Sequence, residues 1–152
     1  YRPSTDGAVY FPIGDNLHDV YRHGIDATDG STVVNYGNYG ILYQIDIPTM
    51  GRENIRYFLS PLGGVYAGAM RVESGGKRVL LQTPATRAYF GDQTLPEAPN
   101  VVQAREEGLL FLTQYTELSD LGTYAAGQSV AFEYSPPGAS NLPVNIILMP
   151  EK

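Results

Sequence analysis

Apolar residues recur at every second position in this chain, and glycine or proline breaks each run. Ile41, Tyr43, Ile45 and Ile47 share one parity, while Gln44 and Asp46 take the other. Ile55, Tyr57 and Leu59 alternate with Arg56, Phe58 and Ser60, and Val130, Phe132 and Tyr134 alternate with Ala131 and Glu133. Val144, Ile146 and Leu148 repeat the pattern near the end. A period of two sends successive side chains to opposite faces of a strand, so each segment predicts a strand with one buried face. The 17 glycines and 11 prolines supply the turns, since glycine reaches positive φ at no steric cost and proline withholds an amide from any ladder.

On this basis strands are predicted over 8–13, 18–22, 41–47, 55–60, 65–73, 77–83, 109–116, 128–135 and 143–149. Residues 55–83 read as an antiparallel meander, with turns at Pro61-Leu62-Gly63-Gly64 and Ser74-Gly75-Gly76. Helix is predicted only as one or two turns within 101–110 and another between Glu117 and Tyr124; neither carries a sustained helical stripe. Pro84 to Asn100 reads as the longest loop. The fold class is therefore all-β: an antiparallel β-sandwich or jelly roll of about nine strands with little helix, an incomplete barrel being second. With 152 residues and no linker or repeat, the chain reads as one domain over residues 1–152. It begins with Tyr1 rather than Met, so a mature form, or part of a longer exported protein, is expected.

Charge and composition exclude several functions. The formal charge is −6, and Lys77 and Lys152 are the only lysines, so no basic stripe exists for nucleic acid or an anionic membrane surface. The longest apolar runs, such as Asn145 to Met149, are too short to insert across a bilayer. There is no cysteine, which removes disulfides and thiolate chemistry, and fits a cytosolic bacterial protein or a secreted Gram-positive one equally. No Gly-x-Ser-x-Gly is present and only two histidines could act as a base, so serine-type hydrolysis has no support. The stretches GGVYAG and ESGGKR sit in strand turns rather than before helices, so no phosphate cradle and no cofactor is expected.

Three groups of residues could carry chemistry. The doubled triplet Asn35-Tyr36-Gly37, Asn38-Tyr39-Gly40 enters the Ile41 segment. Tyr39 keeps its apolar phase and should point inward with Tyr43, Tyr57 and Tyr134, whereas Tyr36 falls out of phase and should be exposed. Exposed tyrosines stack on sugar rings, so Tyr36, Tyr66 and Tyr89 are candidate ligand-stacking residues, with Asn38 and Arg71 as hydrogen-bond partners. His18, Asp19, His23, Asp26 and Asp29 crowd acids and imidazoles into a short stretch. Asp26 and Asp29 are candidate calcium ligands, weighed against Asx-turns in which each aspartate bonds its own backbone. Among the acids, Glu73, Asp92, Glu97, Glu117 and Glu133 could furnish the carboxylate pair of a glycosidase.

The segments NYGNYGILYQIDIP, FLSPLGGVYAGAMRV and PPGASNLPVNIILMP, within residues 33–149, resemble a carboxy-terminal β-domain of secreted Gram-positive bacterial proteins. Those proteins carry copper-amine-oxidase-like amino-terminal repeats, which have no oxidase chemistry. The resemblance implies a secreted or cell-surface location and brings no catalytic residues with it. The expectation is a non-catalytic extracellular or cell-envelope domain with a binding or structural role, on a cell-wall or polysaccharide ligand. A carbohydrate-active enzyme using two carboxylates and a small calcium-stabilised module are the alternatives.

Overall fold

Alternating strands too short to stand alone must pair, and their apolar faces must find one another. The computed structural model describes residues 1–85, 88–91, 99–112 and 116–152. In chain order its elements are α1 (Pro3–Asp6), β1 (Val9–Ile13), β2 (Arg22–Ile25), β3 (Thr32–Asn35), β4 (Tyr43–Asp46), β5 (Asn54–Pro61) and β6 (Val65–Tyr66). There follow β7 (Gly68–Ser74), β8 (Lys77–Thr83), β9 (Tyr89–Phe90), α2 (Pro99–Glu106), β10 (Ser119–Ala125), β11 (Val130–Tyr134) and β12 (Val144–Pro150). Two four-stranded antiparallel sheets result, ordered β1-β12-β5-β10 and β4-β11-β7-β8, with two-stranded ribbons β2-β3 and β6-β9 beside them. The fold is all-β, as the alternation predicts, and among the described residues helix is confined to the four residues of α1 and the eight of α2. No described helix is long and apolar enough to cross a membrane.

The sheets face one another across one core. Ile55, Tyr57, Leu59, Ile146 and Leu148 from the first sheet meet Met70, Val72, Phe132 and Tyr134 from the second, with the Tyr57 and Phe132 rings 5.2 Å apart. Tyr57 and Tyr134 are buried and Tyr43 packs against them, as their phase predicts. A second apolar cluster lies on the far side of the first sheet. There Phe58, Ile147 and Met149 are covered by Val101 and Ala104 of α2 and by Leu109 and Leu112 after it. This corrects the expectation of one buried face per strand: β5 and β12 are buried on both sides, because α2 roofs the sheet they centre.

Other differences have local causes. Among the described residues there are twelve strands where about nine were predicted. The segment 65–73 divides into β6 and β7, strand structure near 18–22 begins only at Arg22, and β3 and β9 are additional. The described part of 109–116 is not strand; its Leu109 and Leu112 pack with Val101 and Ala104 of α2. Where a helical turn was predicted near Glu117–Tyr124, β10 forms. A bulge between Asp120 and Gly122 breaks its alternation, and Gly122, at φ 108°, supplies the conformation the bulge requires. The meander also needs correction. β7 and β8 do form a hairpin, but β5 belongs to the opposite sheet, between β12 and β10, because its two apolar faces need cover on both sides.

Candidate binding face

The fold leaves one broad sheet face open. Among the described residues, the first sheet is covered inside by the core and outside by α2, while the second is covered only inside. Register places Asp46, Ala131, Glu73 and Arg78 in one row across the open side, and Gln44, Glu133, Arg71 and Leu80 in the next. Same-face neighbours across antiparallel strands lie about 4.5–5.5 Å apart, so these side chains form one surface. Ala131 has only a methyl group where its neighbours are long. The result is a shallow concavity of about 280 Å³ lined by Gln44, Asp46, Arg71, Glu73, Arg78 and Glu133.

The charges here are organised. Arg71 pairs with Glu133 on β11, and Arg78 Nε donates to Glu73 Oε2 at 2.7 Å. The Glu73 carboxylate beside it, by hydrogen bond and then by charge, pushes the Arg78 guanidinium up. Solvent-exposed pairs like these contribute little stability. Their effect is to hold guanidinium and carboxylate edges in fixed orientations beside the concavity. The side chains of Gln44 and Asp46, both exposed residues, have no hydrogen-bond or ion-pair partner among the described residues.

The predicted site residues separate into distinct places. Arg71 lies on the open face. Tyr36 is 70% exposed, in the turn after β3, edge-on to Tyr21 with ring centroids 5.7 Å apart. Tyr66 and Tyr89 are corrected: both are buried, facing each other across the β6-β9 ribbon and closing one end of the core. Tyr66 Oη lies 3.3 Å from Thr83 Oγ1 and donates to Tyr134 Oη at 3.3 Å, so neither ring presents a stacking face. Tyr39 is also corrected. The positive φ of Gly40 interrupts the phase before β4, leaving Tyr39 partly exposed with its hydroxyl donating to Ser140 O.

Asn38 is corrected most fully, being 0% exposed. It adopts a left-handed backbone at φ 55°. Its Oδ1 accepts from Arg22 N at 2.7 Å, while its Nδ2 donates to Val20 O at 3.2 Å and to Tyr43 Oη at 2.8 Å. The Tyr43 hydroxyl in turn donates to Asp19 Oδ2 at 2.6 Å, which also accepts from Gly14 N at 2.7 Å. Burial first, and then the Asp19 carboxylate, pushes the Tyr43 phenol up to about 12. The doubled triplet is thus a pair of turns tying the β2-β3 ribbon to the sandwich, rather than the entry of a strand.

Asp26 and Asp29 adopt the Asx-turn arrangement. Asp26 Oδ1 accepts from Thr28 N at 2.8 Å and Thr28 Oγ1 at 2.6 Å, and Asp29 Oδ1 accepts from Ser31 N at 2.8 Å. No group of three or more potential metal ligands occurs among the described residues. Of the candidate acids, Glu73 and Glu133 meet on the open face, Glu117 does not line it, and Asp92 and Glu97 lie outside the described residues. Sequence reasoning did not gather Gln44, Asp46 and Arg78 into a site. Their signal was parity, since each occupies the outward phase of its strand.

No protein-family model matches this chain, and no curated protein matches its sequence.

Proposed function

We propose that this is a non-catalytic binding domain whose open sheet face grips a polar polymer of polysaccharide type, outside the cell or at its envelope. One observation carries the reading: α2 seals one sheet, while the other presents oriented guanidinium, carboxylate and amide groups around Ala131. Sugar hydroxyls both donate and accept, and this face offers donors from Arg71, Arg78 and Gln44 and acceptors from Asp46, Glu73 and Glu133. A glycosidase needs one carboxyl held protonated as general acid. Glu73 and Glu133 each hold a guanidinium through Oε2, which occupies the carboxylate edge that a general acid would present to a leaving group, so recognition fits them better than catalysis. The sequence resemblance to secreted β-domains supports the location. The exposed Tyr36, with Tyr21 beside it, offers an aromatic surface on the β2-β3 side.

The test is retention on purified peptidoglycan and on a panel of soluble polysaccharides, comparing wild type with Arg71→Ala and Tyr36→Ala. Arg71→Ala should weaken retention several-fold while leaving Tm within about 2 °C, because surface substitutions usually change stability by about 0.5 kcal/mol or less. Absence of retention by wild type on every polymer, or full retention by Arg71→Ala, refutes the reading.

A further inference from the structure

Each four-stranded sheet ends in two edge strands, and three of the four edges are blunted. β1 contains Pro12, β10 is bulged at Asp120–Gly122, and β4 has only four residues. Such devices keep a sheet edge from pairing with another chain. β8 has none of these three; its charged residues, Lys77 and Arg78, lie together at its first end. Its seven residues, Lys77 to Thr83, stay in unbroken register with β7 and carry Val79-Leu80-Leu81 at their centre. Beyond the β7 ladder these residues make no backbone hydrogen bond among the described residues.

The hairpin fixes which groups that edge exposes. Gly75 and Gly76, at φ 56° and 75°, form a two-residue turn closed by Ser74 and Lys77, which makes that pair a hydrogen-bonded one. Hydrogen-bonded pairs then alternate, so Lys77, Val79, Leu81 and Thr83 turn their amides and carbonyls toward β7. Arg78, Leu80 and Gln82 turn theirs outward. Leu80 is the midpoint of the strand, and of the possible two-fold axes between antiparallel copies only the one centred on it pairs all three outward residues.

We infer that β8 pairs antiparallel with β8 of a second copy about a two-fold axis at Leu80. In that register Leu80 faces its mate, Arg78 faces Gln82 of the second copy, and Val79 faces Leu81. Every outward amide of one copy then meets an outward carbonyl of the other. The side chains agree with this register. Leu80 is 72% exposed and would be covered by its mate. The charged Arg78 meets a neutral glutamine, and its guanidinium is already drawn back onto Glu73. Val79, on the inward side, is half exposed even though β10 of the first sheet approaches β8, so its side chain also has surface left for the neighbour to cover. Pairing joins the two open faces into one continuous surface, which offers an extended polymer two equivalent sites. The inference does not rest on the ligand proposed above.

A single shared edge makes a small interface, so sedimentation equilibrium should be run up to about 1 mM protein. Wild type should dimerise with concentration. Leu80→Lys places two like charges across the axis and should raise Kd at least about 100-fold with Tm unchanged. Independently of that variant's folding, Leu80→Cys should cross-link under mild oxidation, because facing Cα atoms about 5.5 Å apart fall within disulfide range. Gln82→Cys, which faces Arg78, should cross-link at least about ten times more slowly; the native chain has no competing cysteine. A chain that stays monomeric leaves the edge to a foreign strand and overturns the proposal. A dimer unaffected by Leu80→Lys, or equal cross-linking by the two cysteine variants, overturns it as well.

Discussion

Replacing Asn38 with alanine should damage the fold rather than the ligand site. Asn38→Ala deletes the side-chain bonds to Arg22 N, Val20 O and Tyr43 Oη. The Tyr43 hydroxyl keeps Asp19 as acceptor, but the Arg22 amide and the Val20 carbonyl lose their buried partner. Each of the three lost bonds costs about 1 kcal/mol net, since Val20 and Arg22 are exposed and water can replace part of what they lose. Alanine at φ 55° adds left-handed strain of about 1–2 kcal/mol that asparagine bears more easily. The sum is about 4–5 kcal/mol, or a fall in Tm of about 8–20 °C at this size, at about 2–4 °C per kcal/mol. Asn38→Gly removes the same bonds without the strain and should recover about 1 kcal/mol of the loss. Urea denaturation of the three proteins gives these differences, and amide exchange at Arg22 should report the lost cap directly. A loss below about 1 kcal/mol for Asn38→Ala would refute the reasoning.

Phe58→Ala should cost about 3–5 kcal/mol in urea denaturation, since it opens a cavity between the first sheet and α2; a cost below about 1 kcal/mol would show that α2 is not a packed roof. Millimolar calcium should leave Tm unchanged, because Asp26 and Asp29 are occupied by their own turns; a rise of several degrees abolished by Asp29→Ala would contradict this. Burial pushes the Tyr43 and Tyr57 phenols from 10.0 up to about 12. The stability they contribute is therefore complete below pH 10 and should fall as the pH rises toward 12. Denaturation midpoints that stay flat across that window would contradict the burial argument.

Much of this architecture can be read from parity alone. β1, β4, β5, β7, β8, β11 and β12 fall where alternation predicts them, because one face of each lies against a shared core. β10 escapes the same reading because the extra residue at its bulge shifts the phase between Ser119 and Tyr124. Pairing is not legible locally. β12 inserts between β1 and β5, a long-range choice set by which apolar faces remain uncovered. The continuous run Ile146-Ile147-Leu148-Met149 does signal burial on both faces, and α2 is the element that answers it.

The candidate site was legible in pieces. Phase correctly separates exposed Tyr36 from buried Tyr57 and Tyr134. It fails at Tyr66 and Tyr89, whose positions beside turns suggest exposure although the β6-β9 ribbon folds both rings over the end of the core. It also fails at Asn38, where a polar residue between glycines reads as surface but is buried, bonding Val20 and Arg22 at the start of β2. Arg71, Glu73 and Glu133 are each visible in the sequence. That they share a face with Gln44, Asp46 and Arg78 follows only from the order β4-β11-β7-β8.

The most direct test of the open face is an amide chemical-shift titration of the labelled protein with a soluble polysaccharide that it retains. The account predicts shifts confined to β4, β7, β8 and β11, strongest around Gln44, Asp46, Arg71 and Ala131, with α2 and β12 unmoved. Shifts centred on α2, on the Asp26–Asp29 turn, or spread evenly over the chain would contradict it.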